Sequence, residues 1–132
     1  MSDLTKYQIY DLLNRNCEHL WLAGIDLSEV NLIWVDLSKA ILCSANLSGA
    51  NLTLADLSGA NLINANLTDA NLTEADLSKA NLLQAKVAIS ELVVADSLAG
   101  TKMPDGADLS EEYWEADFES WQKKQEVKEI NN

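Results

Sequence analysis

Hydrophobic side chains return along this chain at every fifth position. Leucine stands at 22, 27, 32 and 37, continues without an insertion through Leu42, Leu47, Leu52, Leu57, Leu62, Leu67, Leu72, Leu77 and Leu82, and gives way in the same frame to Val87 and Leu92. Two positions before each centre the residue is Ala from Ala40 to Ala85, and the position between them is mostly Asn or Asp. A helix advances about 100° per residue, so five residues overshoot a full turn by about 140° and the leucines would spiral round the cylinder. A strand changes face at each residue, so an odd period would throw successive leucines onto opposite sides of a sheet. A chain that bends once per repeat satisfies the pattern. Each leucine then points inward from the middle of a short flat side and each alanine fills the same interior. Asn or Asp before the leucine, with Ser or Thr after it, favours the tight bend.

The phrases Ala-Asn-Leu-Ser-Gly (45–49), Ala-Asn-Leu-Thr-Leu (50–54) and Ala-Asp-Leu-Ser-Gly (55–59) resemble the pentapeptide-repeat family, and the resemblance runs from about residue 20 to residue 96. It implies an all-β solenoid, a right-handed quadrilateral β-helix with four repeats to a square coil. About four coils, stacked at a strand spacing of about 4.8 Å, make a rod about 20 Å tall. Met103-Pro104-Asp105-Gly106 resembles the close of many such proteins.

The two ends depart from the period. Leu4, Tyr7, Ile9, Tyr10, Leu12 and Leu13 fall near helical spacing, which predicts a short capping helix within residues 1–19. The repeat unit is expected over 20–106, with a frame shift of one residue near its end that places Leu98 and Met103 inward. Residues 107–132 are expected to hold a C-terminal helix, from about 110 to 128, with Trp114, Phe118 and Trp121 on one face. Its role is either to cover the end of the coil or to present an aromatic stripe to a partner.

Residues twenty apart stack on one side if four repeats close a coil. Asp36, Asp56, Asp76 and Asp96 then form a candidate acidic face, where mutual repulsion raises some of the carboxyl pKa values and stability rises as pH falls from 7 towards 5. Trp34 and Leu54 form one outward apolar column, and Ile63 and Leu83, after Cys43, form another. With Trp114, Phe118 and Trp121 they are the candidate apolar contacts.

The net charge of −12 disfavours direct binding of nucleic acid or of an anionic membrane. No signal peptide or membrane span is legible, so a cytoplasmic location is expected. His19 is the only histidine, and Cys17 and Cys43 are isolated. They give no nucleophile, base and orienter set and no soft-metal cluster, so neither an enzyme nor a cofactor or metal is expected. The expected function is a structural or regulatory protein-binding module that presents a rigid acidic β-helical surface. Its partner is another protein, or a second copy met through the C-terminal helix or a solenoid end. The alternative, implied by the family resemblance, is a mimic of duplex DNA that binds a type II topoisomerase such as gyrase.

Overall fold

The computed structural model describes residues 20–131. The expected helix within 1–19, Cys17 and His19 lie outside the described residues. From Leu20 the chain runs in coils of twenty residues, each with four sides of five residues. Single parallel bridges join each coil to the next, such as Trp21 to Ile41, Asp26 to Asn46, Asn31 to Asn51 and Asp36 to Asp56. These four bridges define sides one to four.

The leucines from Leu42 to Leu82 are fully buried, with Ala40 to Ala85 beside them in one continuous core. From Leu22 to Leu82 the leucine N–H groups, Leu72 apart, donate upward to the next coil, as in Leu42 N to Asn61 O at 2.8 Å. Each Asn or Asp N–H donates downward, as in Asn61 N to Ala40 O at 2.9 Å. The wall thereby satisfies its own backbone.

The expectation of an all-β, quadrilateral β-helical solenoid is corrected by this geometry. Among the described residues there is no β-strand, only isolated bridges, and the continuous elements are two helices, α1 (Ile89–Leu92) and α2 (Trp114–Asn131). The physical reason is the bend at every fifth residue. Only a residue or two of each side can run extended before the next turn, too few to form a strand.

Each bend is a four-residue turn in which the alanine N–H donates to the preceding leucine carbonyl, as in Ala45 N to Leu42 O at 3.0 Å. The residue two after the leucine has a positive φ, the signature of a type II turn. Glycine fills this position at Gly49 and Gly59, but Glu29, Trp34, Lys39, Ser44, Leu54, Asn64, Asp69, Glu74, Lys79 and Gln84 also hold φ between 57° and 63°. The left-handed residue is therefore not the Asn or Asp that precedes the leucine. Those side chains act as acceptors instead: Asp56 Oδ1, for example, takes the Ser58 N–H at 2.9 Å and the Ser58 hydroxyl at 2.5 Å. A left-handed conformation costs a residue with a Cβ about 1–2 kcal/mol. Gln84 is exposed and left-handed, so Gln84→Gly should raise stability by about 0.5–1 kcal/mol, less than the strain relieved because glycine loses more entropy on folding. A lower urea midpoint for this variant would contradict the assignment.

The upper coil departs from the period in two places. At the corner from side two to side three α1 replaces the usual turn, keeps Leu92 buried, and lends its Glu91 carboxylate to the N–H groups of Asp69 and Ala88. On side four Asp96 N still donates to Ala75 O, but it is Ser97 O that accepts from Leu77 N. Two residues thus oppose one, which is a bulge. Beyond it Leu98 and Met103 are buried, as the shifted frame requires. The chain then reverses: Lys102 pairs antiparallel with Asp108 by a bridge and by a 2.8 Å salt bridge. Helix α2 closes this end, with Phe118 and Trp121 buried and stacked at 5.9 Å between ring centroids.

Candidate interaction surface

Side four carries the expected acidic column, and the structure changes its meaning. Asp36 bridges Asp56 and Asp56 bridges Asp76, but Asp76 bridges Ser97. Asp96 lies in the bulge and leaves the column. Lys39, Gly59 and Lys79 run beside it at the left-handed positions, so three carboxylates and two ammonium groups leave a single net negative charge along these columns. The aspartates are also engaged in their own turns. Asp36 Oδ1 accepts from Ser38 N at 3.0 Å and from Ser38 Oγ at 2.6 Å. The expected acidic β-helical surface is therefore absent, and the function built on it is corrected, together with the duplex mimicry that needed the same charge.

The Ser38 hydroxyl and N–H hold the Asp36 carboxyl below the ordinary carboxylate range. Partial burial pushes Asp105 up, but bonds from Trp121, Ala107 N and Gln125, with the Lys128 charge, outweigh it and lower that carboxyl. Ser110 lowers Asp117. A carboxyl lowered in the folded state contributes stability above its unfolded pKa, and that contribution is lost as pH falls through the folded value. Stability should therefore be flat from pH 7 to 5 and decline below about pH 4, the reverse of the trend expected from a repelling ladder. Thermal melts across this range check the sign.

Side one holds the column Cys43, Ile63, Leu83. Ser44 N donates to Ile63 O, Asn64 N to Leu83 O and Gln84 N to Pro104 O, so the column is continuous as far as Pro104. Its members are half-buried. Stacking on one another accounts for their apolar character without a partner.

At the top of the coil Phe118 and Trp121 are turned inward, and Trp114 packs against the same core. Asp105 gathers three residues of the helix. Asp105 Oδ1 accepts from Trp121 Nε1 at 3.0 Å, its Oδ2 accepts from Gln125 Nε2 at 3.1 Å, and Lys128 Nζ lies 3.6 Å from Oδ2. Of the three aromatic candidates, two are consumed in closing the end.

Side three differs from the others. Trp34 N donates to Thr53 O and Leu54 N to Thr73 O, which stacks Trp34, Leu54 and Glu74 in one column; Glu74 N donates to Val94 O, one residue further on, so that Val94 stands opposite Thr73. Ile33, Thr53 and Thr73 precede them. Trp34 is 73% exposed, Val93 51%, and Ile33 and Val94 42% each; Leu54 is half-buried. The flanking column is Asn31, Asn51 and Asn71, all uncharged. Glu74 and Glu91 are the two carboxylates of this side, and Glu91 accepts from the N–H groups of Asp69 and Ala88. Sequence reading found Trp34 and Leu54 but missed Ile33, Val93 and Val94. Ile33 was legible as a non-Ser, non-Thr residue after its leucine, whereas Val93 and Val94 lie where the period had decayed.

Among the described residues no group of His, Cys, Asp and Glu could hold a metal ion, and no helix is long and apolar enough to cross a membrane.

A family model described as pentapeptide repeats matches in eight copies, over residues 16–49, 25–62 and 55–87. A crystal structure of a pentapeptide repeat protein from the Arabidopsis thaliana thylakoid lumen is 32% identical, with a TM-score of 0.53, over 70% of this chain and 59% of that one. A pentapeptide repeat protein from Nostoc PCC 7120 is 35% identical, with a TM-score of 0.53, over 64% of this chain and 65% of that one. The matched part is thus less than two thirds of either structure's length. Among curated proteins none matches.

Proposed function

Because the chain belongs to the pentapeptide-repeat family, we propose that it acts as a protein-binding scaffold whose contact surface is side three of the coil. Its relatives of known structure are each described as a pentapeptide repeat protein, a description that names no reaction, and the scaffold reading gives this chain no catalytic role either. The observation that carries the reading is Trp34. Its side chain is 73% exposed and its φ is 63°. Burial does not explain a tryptophan there, and the backbone conformation penalises it. Residues that break local rules without a folding benefit mark functional positions. Tryptophan is also the side chain most enriched among residues that dominate binding energy. Leu54, left-handed at φ 59° in the coil above, repeats the conflict.

Folding and binding should therefore respond to Trp34→Gly in opposite directions. The variant is expected to melt at a higher temperature than the wild type and to lose the proteins that the wild type captures from an extract. Lys39→Ala, on side four, should retain them. Identical capture by wild type and Trp34→Gly would refute side three as the contact.

A further inference from the structure

We infer that Asp105 is a site of spontaneous backbone isomerisation, guarded while α2 is docked and open to reaction when the helix lifts away. The product, isoaspartate, then keeps the helix from returning.

The chemistry belongs to the Asp105-Gly106 step, which is the one Asp-Gly or Asn-Gly pair in the chain. The amide nitrogen of the following residue attacks the carboxyl carbon of an aspartate, and a side chain on that residue hinders the approach. Glycine has none. The repeats offer the opposite case: Asp36, Asp56, Asp76 and every asparagine in the same position of the motif are followed by leucine.

The balance of atoms needs only water. The Gly106 nitrogen bonds to Asp105 Cγ, and the carboxyl hydroxyl leaves with the amide proton as one water, which closes a five-membered imide. Water then adds to the former main-chain carbonyl carbon of Asp105, whose bond to the Gly106 nitrogen breaks. The chain now runs through Cβ and Cγ, one carbon longer, and the free carboxylate sits directly on Cα.

The docked structure opposes each part of this reaction. The Gly106 N–H donates to Met103 O at 2.9 Å, so the nucleophile is held in the turn that Pro104 and Asp105 make. The carboxylate has four partners, Ala107 N and Trp121 Nε1 on Oδ1, and Gln125 Nε2 and the Lys128 ammonium on Oδ2. Three of the four belong to α2. Against the partial burial that pushes it up, they and the Ala107 N–H hold the carboxyl below the ordinary carboxylate range, and the ionised form is slow to give up an oxygen as water. Solvent is not what the fold withholds, since two clefts, each lined by Asp105 and Trp121, bring it to the turn.

Protection therefore depends on the helix. An element that buries two of its eighteen residues opens more readily than the coil beneath it. Once α2 lifts away, Trp121, Gln125 and Lys128 leave together and the carboxyl is free to turn towards the Gly106 nitrogen. In the product the carboxylate is drawn back by one carbon and the turn is lengthened, so the same three partners no longer meet on one group. Phe118 and Trp121 lose their seat, and each chain that has opened carries a covalent record of it.

The full chain is aged at neutral pH and digested with trypsin, which isolates the site in residues 103–123 together with Asp108 and Asp117. Chromatography of the isomeric peptides, with electron-transfer fragmentation, reads isoaspartate at each position. It should build up at Asp105, several-fold faster in Trp121→Ala than in the wild type and fastest in chain unfolded by guanidinium chloride. Gln125→Ala/Lys128→Ala, which keeps Phe118 and Trp121, should fall between wild type and Trp121→Ala, and it carries the test if Trp121→Ala does not fold. Aged wild type enriched in isoaspartate should have lost helical circular dichroism. Equal rates in wild type and the double variant would overturn the guarding role of α2, and isoaspartate appearing as fast at Asp108 or Asp117 would overturn the site. An isomerised chain with undiminished helical signal would overturn the consequence.

Discussion

Leu62→Lys is expected to leave no cooperatively folded protein. Leu62 has no exposed surface, and its N–H is committed to Asn81 O in the next coil, so the wall cannot swing outward to deliver a longer side chain to water. Above and below it stand Leu82 and Leu42, equally buried, and among the described residues no acidic one enters the core to pair with an ammonium group. An unpaired charge in such a place costs several kcal/mol even after relaxation or neutralisation. That is comparable with the whole stability of a chain this size. Leu62→Ala, which leaves only a cavity, should cost about 2–5 kcal/mol. Asn64→Lys is the internal control. Asn64 is exposed on the same side of the same coil, and its replacement should change stability by about 0.5 kcal/mol or less, apart from the modest preference of asparagine for a left-handed φ. A soluble Leu62→Lys protein with a sharp thermal transition would show that the leucines do not point inward.

Trp121→Ala has the second largest expected effect, and it is local. Removing a buried tryptophan costs about 3–5 kcal/mol. It also leaves Asp105 without its Nε1 donor and Phe118 without its stacked neighbour. Because α2 buries only Phe118 and Trp121 of its eighteen residues, what remains to hold it is Phe118, the half-buried Trp114 and the exposed contacts of Gln125 and Lys128 with Asp105. Helical circular dichroism at 222 nm should fall, while hydrogen exchange at the N–H groups of Leu42, Leu47, Leu52 and Leu57 stays slow. Each of those groups is bonded to a neighbouring coil rather than to α2. Loss of protection throughout the coil would mean that α2 and the repeats unfold as one cooperative unit.

The core was legible because a period of five leaves no regular helix or sheet, and an unbroken run of Ala and Leu fixes what points inward. The bends were legible only in part. Asn and Asp showed where a turn falls, but the strained residue is two positions past the leucine, where Trp34, Leu54 or Lys79 gives no local hint of a positive φ. The period predicts strands where single bridges occur, because neighbouring coils do pair, but each side is too brief to extend that pairing beyond a residue or two. Asp96 was misplaced by counting twenty from Asp76. Leu98 and Met103 reveal an inserted residue, yet nothing in the sequence says that the bulge falls at Asp96 and Ser97 rather than earlier. Side three was half visible, since Val93 and Val94 join Trp34 only through the bond from Glu74 N to Val94 O.

The two periods of this coil obey different arithmetic. Its interior is unchanged by a shift of five residues, since one Ala-x-Leu phrase fills the core as well as the next. Its exterior is unchanged only by a shift of twenty, since that is the distance between Trp21 and Ile41 or Asp36 and Asp56. Losing or gaining one repeat between Leu54 and Glu74 would keep every leucine inside and turn all that follows by a quarter of the square. Val93 and Val94 would then stand above a different side from Trp34. A lineage of such chains can therefore shuffle its outer surface wholesale by slippage of a single repeat, at almost no cost to folding, and recover the original arrangement after four such steps.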